Sequence, residues 1–221
     1  MEKYLTPLYE KMKKASNAEK ASGAKQYMKN QFEFLGIDAV RRREIIKEFL
    51  KEHGLPEKTA LKEFVFELWK KEEREYQYFA IDVIRKLAKN LKENDIEWIE
   101  KMIVIKSWWD TVDIVAASIC GEYFHSYPDK IETITINWIQ SGNLWLQRSA
   151  LLFQLKYKKQ TNTILLSKYI EQLLGSHEFF INKAIGWVLR EYSKTNRLWV
   201  RKFVDTHTLA PLSIREATKY L

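Results

Sequence analysis

The chain has 221 residues, long enough for a sizeable hydrophobic core in one large domain or two small ones. Only seven Gly and four Pro punctuate a sequence that is 46% hydrophobic and 30% charged, the balance of amphipathic helices rather than of a turn-rich β fold. One Cys excludes an intramolecular disulfide, four scattered His offer no metal-ligand spacing, and a formal charge of +8 points to a polyanionic partner.

From Met1 to Met12 charges alternate with apolar residues, so the apolar run of a secretion signal never forms, and no later stretch is long enough to span a bilayer. Apolar residues then follow helical spacing, as in Ile45, Ile46, Phe49 and Leu50, and again in Leu61, Phe64, Val65, Leu68 and Trp69. Gly36, Gly54, Gly142 and Gly175 fall where helices should stop. Asn94 with Glu97, and Asp129 with Glu132, read as capping-box starts, while Pro56, Pro128 and Pro211 separate periodic segments. The pattern predicts about a dozen short helices joined by short loops. Cys120 ends the apolar run that begins after Asp113 and reads as a small buried hydrophobe, in keeping with a reducing cytoplasm.

Four segments look alike when stacked: Tyr76-Gln-Tyr-Phe-Ala80, Thr111-Val-Asp-Ile-Val115, Leu146-Gln-Arg-Ser-Ala150 and Ile181-Asn-Lys-Ala-Ile185. Their third residues, Tyr78, Asp113, Arg148 and Lys183, follow one another every 35 residues, and one further step back lands on Arg43. A helix-pair repeat of that length predicts an all-α, HEAT-like solenoid, here a single domain over residues 1–221. Equivalent positions would then line a concave groove that is basic except at Asp113.

The chemistry concentrates in Lys106-Ser-Trp-Trp-Asp-Thr-Val-Asp113, where two indoles accompany two carboxylates. Trp109 and Asp113 are four residues apart and so share a helical face. Trp187, four residues after Lys183, is placed to face the same groove, and Gly186 beside it serves either close helix packing or room for a ligand. Arg148 lies one repeat beyond Asp113, and its planar fork suits a phosphate. Arg43, Lys183 and Arg190 are further phosphate candidates, each with solvated surface charge as the plainer alternative.

These residues resemble the bacterial DNA alkylation-repair family, in particular AlkD-type 3-methyladenine/7-methylguanine DNA glycosylases. The resemblance runs nearly end to end. It rests on Tyr27-Met-Lys-Asn, Phe34-Leu-Gly36, Lys106-Ser-Trp-Trp-Asp110 with Val112-Asp113, and Leu144-Trp-Leu-Gln-Arg148. Further matches are Leu152-Phe-Gln-Leu-Lys-Tyr157 and Lys183-Ala-Ile-Gly-Trp-Val-Leu-Arg-Glu-Tyr192. The resemblance implies a HEAT-like fold, with Trp109, Asp113 and Trp187 around the lesion-bearing nucleotide and Arg148 at the adjoining phosphate. It also implies that Tyr27 touches the DNA backbone, and that the enzyme grips sugar and phosphate without enclosing the base.

N3- or N7-alkylation makes a purine cationic, so the departing base needs no protonation. What needs help is the sugar, which turns oxocarbenium-like as the glycosidic bond stretches, and a carboxylate can stabilise it and orient water. Asp113 is the candidate for both roles, with the π-faces of Trp109 and Trp187 toward the same cation. The expectation is a monofunctional, monomeric hydrolase of duplex DNA without metal or other cofactor, cytoplasmic and nucleoid-associated. A Lys106 or Lys183 Schiff base is not needed for a charged leaving group. The rival expectations are a scaffold that holds an acidic helix or tail, and a binder of distorted duplexes that lacks chemistry.

Overall fold

The computed structural model describes all 221 residues; it is all-helical, with no β-strand. The chain forms two compact units, Met1–Leu87 and Ala88–Leu221.

The first unit holds α1 (Glu2–Lys14), α2 (Ala18–Tyr27), α3 (Ala39–His53), α4 (Leu61–Trp69) and α5 (Arg74–Leu87). The α3 helix starts where the Asp38 carboxylate accepts the Arg41 N–H at 2.9 Å and ends at Gly54, whose φ of +72° only glycine adopts without strain. Phe49, Phe64 and Phe79 are fully buried and meet edge-on or tilted, with Tyr4 against Phe49 at 5.1 Å between centroids. Gly36 corrects the expectation that it ends a helix: α2 stops at Tyr27, nine residues earlier, and turns through Lys29 and Asn30, both at φ 57°. Gly36 instead lets the backbone approach closely, since a Cβ there would lie 2.0 Å from the Asn17 carbonyl oxygen. The buried Glu75 carboxylate then accepts the N–H groups of Leu35, Gly36 and Ile37 at 3.0, 2.8 and 3.1 Å.

The second unit holds α6 (Ile96–Val104), α7 (Trp109–Ile114), α8 (Gly121–Ser126), α9 (Ile131–Gln140) and α10 (Leu144–Leu152). It continues through α11 (Thr163–Gln172), α12 (Phe179–Ser193), α13 (Arg197–Thr206) and α14 (Pro211–Ala217). A π-helical stretch, Val115–Cys120, joins α7 to α8 without a break. Asn143, Asn162 and Asn196 cap α10, α11 and α13 by accepting backbone N–H bonds, each worth about 1 kcal/mol. The two expected capping boxes are displaced, because a 3₁₀ turn precedes each helix. Asn94 sits inside the turn Glu93–Asp95, and it is Asp95 that accepts from the Lys92 N–H and the Trp98 indole at 2.7 and 2.9 Å. Asp129 lies inside Pro128–Lys130 and makes no cap bond.

The 35-residue register is visible in the helix boundaries. The helices α3, α5, α7, α10 and α12 begin at residues 39, 74, 109, 144 and 179, so each step is 35. Arg43, Tyr78, Asp113, Arg148 and Lys183 are therefore each the fifth residue of their helix. Within the second unit, bonds connect neighbouring repeats, such as Lys168 to Glu132 at 2.8 Å and the Tyr157 hydroxyl to the Gly121 carbonyl at 2.7 Å. This is a fold of stacked helix pairs, each burying its apolar face against its neighbours. No helix is long and apolar enough to cross a membrane.

Candidate active site

Asp113 and Arg148 meet across one repeat of the second unit. The Arg148 Nε and Nη2 donate to the two Asp113 carboxylate oxygens at 2.7 and 2.9 Å, a bidentate fork, and Nη1 donates to the Phe180 carbonyl. The Arg148 side chain is 3% exposed and that of Asp113 12%, so the pair is largely buried and the acid is the more exposed partner. Burial pushes the Asp113 carboxyl above the usual aspartate range; the Arg148 fork pulls it part of the way back, and nearby Asp110 adds to the rise.

The fork leaves the carboxylate chemically competent. An ionised carboxylate offers about four lone-pair sites, and Arg148 occupies one on each oxygen. One remains on each for a water or a polarised sugar. The guanidinium has five N–H groups, three of them engaged by Asp113 and Phe180, so the planar fork expected at a phosphate is spent on Asp113.

Aromatic rings brace the pair. Trp108, Trp145 and Phe180 form a triangle with centroids 5.7, 5.2 and 5.0 Å apart, and the Arg148 guanidinium lies 5.8 Å from the Phe180 ring. Each is the last residue before, or the second residue of, its helix: α7, α10 and α12. The Trp108 indole N–H is buried and has no hydrogen-bond partner. Trp109 stands one turn before Asp113 on α7, half-buried, and Trp187 is half-buried on α12, two turns after Phe180 and on the same helical face. The π-helical stretch begins two residues after Asp113, a local irregularity that often accompanies functional sites. Cys120, at its end, is fully buried and its thiol pushed upward by burial, as inert as its apolar setting suggests.

Lys183 and Arg190 have a partner that sequence reading missed. Both donate to Glu216 on α14, Lys183 at 2.8 Å, and Lys219 joins them at 2.9 Å. Glu216 is buried, and its position follows from Gly186: a Cβ on that glycine would lie 2.5 Å from the Glu216 Cβ and 2.8 Å from the Ser213 carbonyl oxygen. Of the two roles open to Gly186, close packing of α14 on α12 is the one seen. Only Lys219, three residues on, shares a sequence spacing with Glu216; Lys183 and Arg190 reach it from α12, across a helix interface that no local pattern marks.

The bonds from Lys183 and Lys219 hold the Glu216 carboxyl down at about 2 against an ordinary value of 4.5. A carboxyl depressed in the folded state stabilises fully above 4.5, and the contribution is lost as pH falls toward 2. Glu216→Gln is therefore expected to unfold at lower urea than the wild type at neutral pH, with the gap closing on acidification. A gap that is constant over that range contradicts the assignment.

Tyr27 and Arg43 belong to the first unit. Tyr27 is the last residue of α2 and 70% exposed, while Arg43 is exposed on α3. Tyr78, the member of the row between Arg43 and Asp113, has the Arg42 guanidinium 4.6 Å over its ring.

Comparison with known proteins gives two findings. A family model described as DNA alkylation repair enzyme matches residues 8–221. A solved structure described as a predicted DNA alkylation repair enzyme from Enterococcus faecalis is 39% identical, over 93% of this chain and 96% of its own, with a TM-score of 0.86. No curated protein matches the chain.

Proposed function

The chain belongs to the DNA alkylation repair enzyme family, and from that premise we propose that it is a monofunctional DNA glycosylase, hydrolysing the N-glycosidic bond of cationic N3- and N7-alkylated purines in duplex DNA. The observation that carries this reading is the Asp113 carboxylate, held rigidly by Arg148 with one free lone pair on each oxygen.

Stretching the glycosidic bond moves positive charge from the alkylated base to the deoxyribose. A fixed carboxylate at the edge of a low-dielectric site stabilises that charge without having to reorganise, and the same oxygens orient the water that completes hydrolysis. The base leaves neutral, so no acid is required. Trp109 and Trp187 offer π-faces to the cation, an attraction of about 0.5–2 kcal/mol that increases as water is excluded. In this reading Arg148 has two tasks: it aligns Asp113 and lends a remaining N–H to the neighbouring phosphate. Tyr27 and Arg43 grip the backbone from the first unit. The protein acts as a monomer, without cofactor, on the bacterial nucleoid.

The direct test is incubation with duplex DNA carrying 7-methylguanine or 3-methyladenine. Release of free base, with no protein–DNA adduct trapped by borohydride, is the expected result; binding without release would leave a duplex binder that does no chemistry.

The charge pairing also ranks the phosphate contacts. Each cation that neutralises a phosphate contributes about −0.9 to the slope of log affinity against log salt. Arg43→Ala should flatten that slope by about one contact, because no carboxylate holds Arg43. Lys183→Ala and Arg190→Ala should flatten it less, since both side chains are already bonded to Glu216. Equal changes for all three would remove the ranking.

A further inference from the structure

The π-helical stretch changes which residues accompany Asp113. On a straight α-helix Asp113 would share its face with Ala117, Cys120 and Phe124, at i+4, i+7 and i+11, and all three are buried. The stretch Val115–Cys120 takes in one residue more, so the partly exposed face runs instead from Trp109 and Asp113 to Ser118 and Glu122. The preceding repeat has the straight spacing. In α5 the positions open to solvent after Tyr78 include Asp82, Lys86, Lys89 and Asn90, and Ser118, Glu122, His125 and Ser126 match them 36 residues later, not 35. The buried Val83, Ile84, Leu87 and Ala88 match Ile119, Cys120, Tyr123 and Phe124 in the same way. Gly121, in the place of the exposed Arg85, is covered by the Phe153 backbone and the Tyr157 ring.

The added residue brings a cation onto this face. The Lys156 ammonium, four residues past the end of α10, donates to the Ser118 hydroxyl at 2.7 Å, one wide turn along the helix from Asp113. A hydroxyl holds an ammonium in place without cancelling its charge. The cations expected at phosphates in this unit are otherwise engaged by carboxylates: Arg148 by Asp113, and Lys183 and Arg190 by Glu216.

We propose that Lys156 supplies the positive charge for a phosphate flanking the alkylated nucleotide, and that Ser118, turned onto the Asp113 face by the π-helical stretch, is the residue that positions it. The proposal rests on the glycosylase reading for the place of the sugar. A deoxyribose seated against Asp113 carries a phosphate on each side, and an ammonium one turn further along the same face is placed to meet one of them. Arg148 lends that phosphate a remaining N–H, while Lys156 brings the counter-charge.

The test uses the full-length protein and reads binding apart from chemistry. On undamaged duplex, Lys156→Ala should make the slope of log affinity against log salt shallower by about 0.9, one phosphate contact, and Lys156→Arg should restore it. On a duplex whose 7-methylguanine carries a 2′-fluoro sugar that resists cleavage, each phosphate flanking the lesion is replaced in turn by a neutral methylphosphonate. At one position the replacement should weaken the wild type by about tenfold and Lys156→Ala by less than about twofold. Ser118→Ala should leave the slope unchanged and reduce that coupling, since the charge remains while its place is lost. Lys156 is exposed, and helical circular dichroism should be unchanged in these variants. Additive losses at every phosphate would overturn the proposal. So would an unchanged slope in Lys156→Ala together with slower base release, which would assign Lys156 to the carboxylates of Asp113 and Glu122. Absence of base release by the wild type, with the slope change and the coupling intact, would count against the glycosylase reading alone and leave the contact standing.

Discussion

Asp113→Asn should release alkylated base about 10²–10³-fold more slowly than the wild type, the usual loss when one well-placed electrostatic group is removed from a reacting centre. The substitution keeps the shape of the side chain and one oxygen acceptor, and removes the charge that opposes the developing sugar cation. It also leaves the 3%-exposed Arg148 without its counter-charge. Breaking one half of a buried pair costs about 3–5 kcal/mol, and the Phe180 carbonyl with the remaining amide oxygen places this case at the lower end. A folded protein with a stability of about 5–15 kcal/mol survives that loss. Affinity for damaged duplex should change far less than the rate, since Asp113 is not itself among the proposed phosphate contacts. A parallel fall in affinity and rate would mean that Asp113 serves binding.

Arg148→Met should be more damaging to the fold and comparably damaging to the rate. Methionine approximates the stem and deletes the charge, so a carboxylate in a site 12% exposed loses its only strong partner. The protein then either carries an unpaired buried charge, at about 3–5 kcal/mol, or protonates Asp113. Because burial raises the Asp113 carboxyl and Arg148 lowers it, loss of Arg148 moves the titration further up, so the active carboxylate is lost over a wider acid range as well. The pair Asp113→Asn with Arg148→Met leaves neither charge behind, and should be more stable toward urea than Arg148→Met alone while remaining inactive. Strictly additive stability losses would contradict the direct coupling of the two residues.

The repeat was legible because it is a spacing, and a spacing survives substitution. The 35-residue interval between Tyr78, Asp113, Arg148 and Lys183 is the interval between helix starts, and the Asp113–Arg148 bond joins two successive members of that row. The glycines were legible where they follow a helix, at Gly54, Gly142 and Gly175, all at positive φ. Gly36 has the same φ for a different reason, the approach of Asn17, and a close tertiary contact leaves no mark in the local sequence. Capping residues shifted for a related cause: a 3₁₀ turn ahead of a helix has the same composition as a cap, so Asn94 and Asp95 compete and geometry chooses Asp95.

The surroundings of the site were less legible than its centre. Trp108 and Trp109 are adjacent and chemically equal, yet Trp108 belongs to the triangle with Trp145 and Phe180 that backs Arg148. Which indole turns inward depends on helix phase, and a phase fixed by neighbours one and two repeats away cannot be read locally. The π-helical stretch Val115–Cys120 gave no warning either, since the run contains neither Gly nor Pro. Just beyond it Gly121 abuts the Phe153 carbonyl, where a Cβ would sit at 2.9 Å, and the Tyr157 hydroxyl donates to the Gly121 carbonyl. Glu216 was missed because ion pairs across a helix interface carry no period.

The proposed chemistry requires an ionised carboxylate at position 113 acting on the sugar. Single-turnover release of 7-methylguanine from a saturated complex, followed against pH, tests it most directly. The prediction is an acid limb in the wild type, with activity present above the raised titration of Asp113 and lost as pH falls through it, at a midpoint above the ordinary aspartate range. The limb should move higher in Arg148→Met and be absent from the residual rate of Asp113→Asn. A flat profile in the wild type, or an unchanged limb in Asp113→Asn, would contradict it.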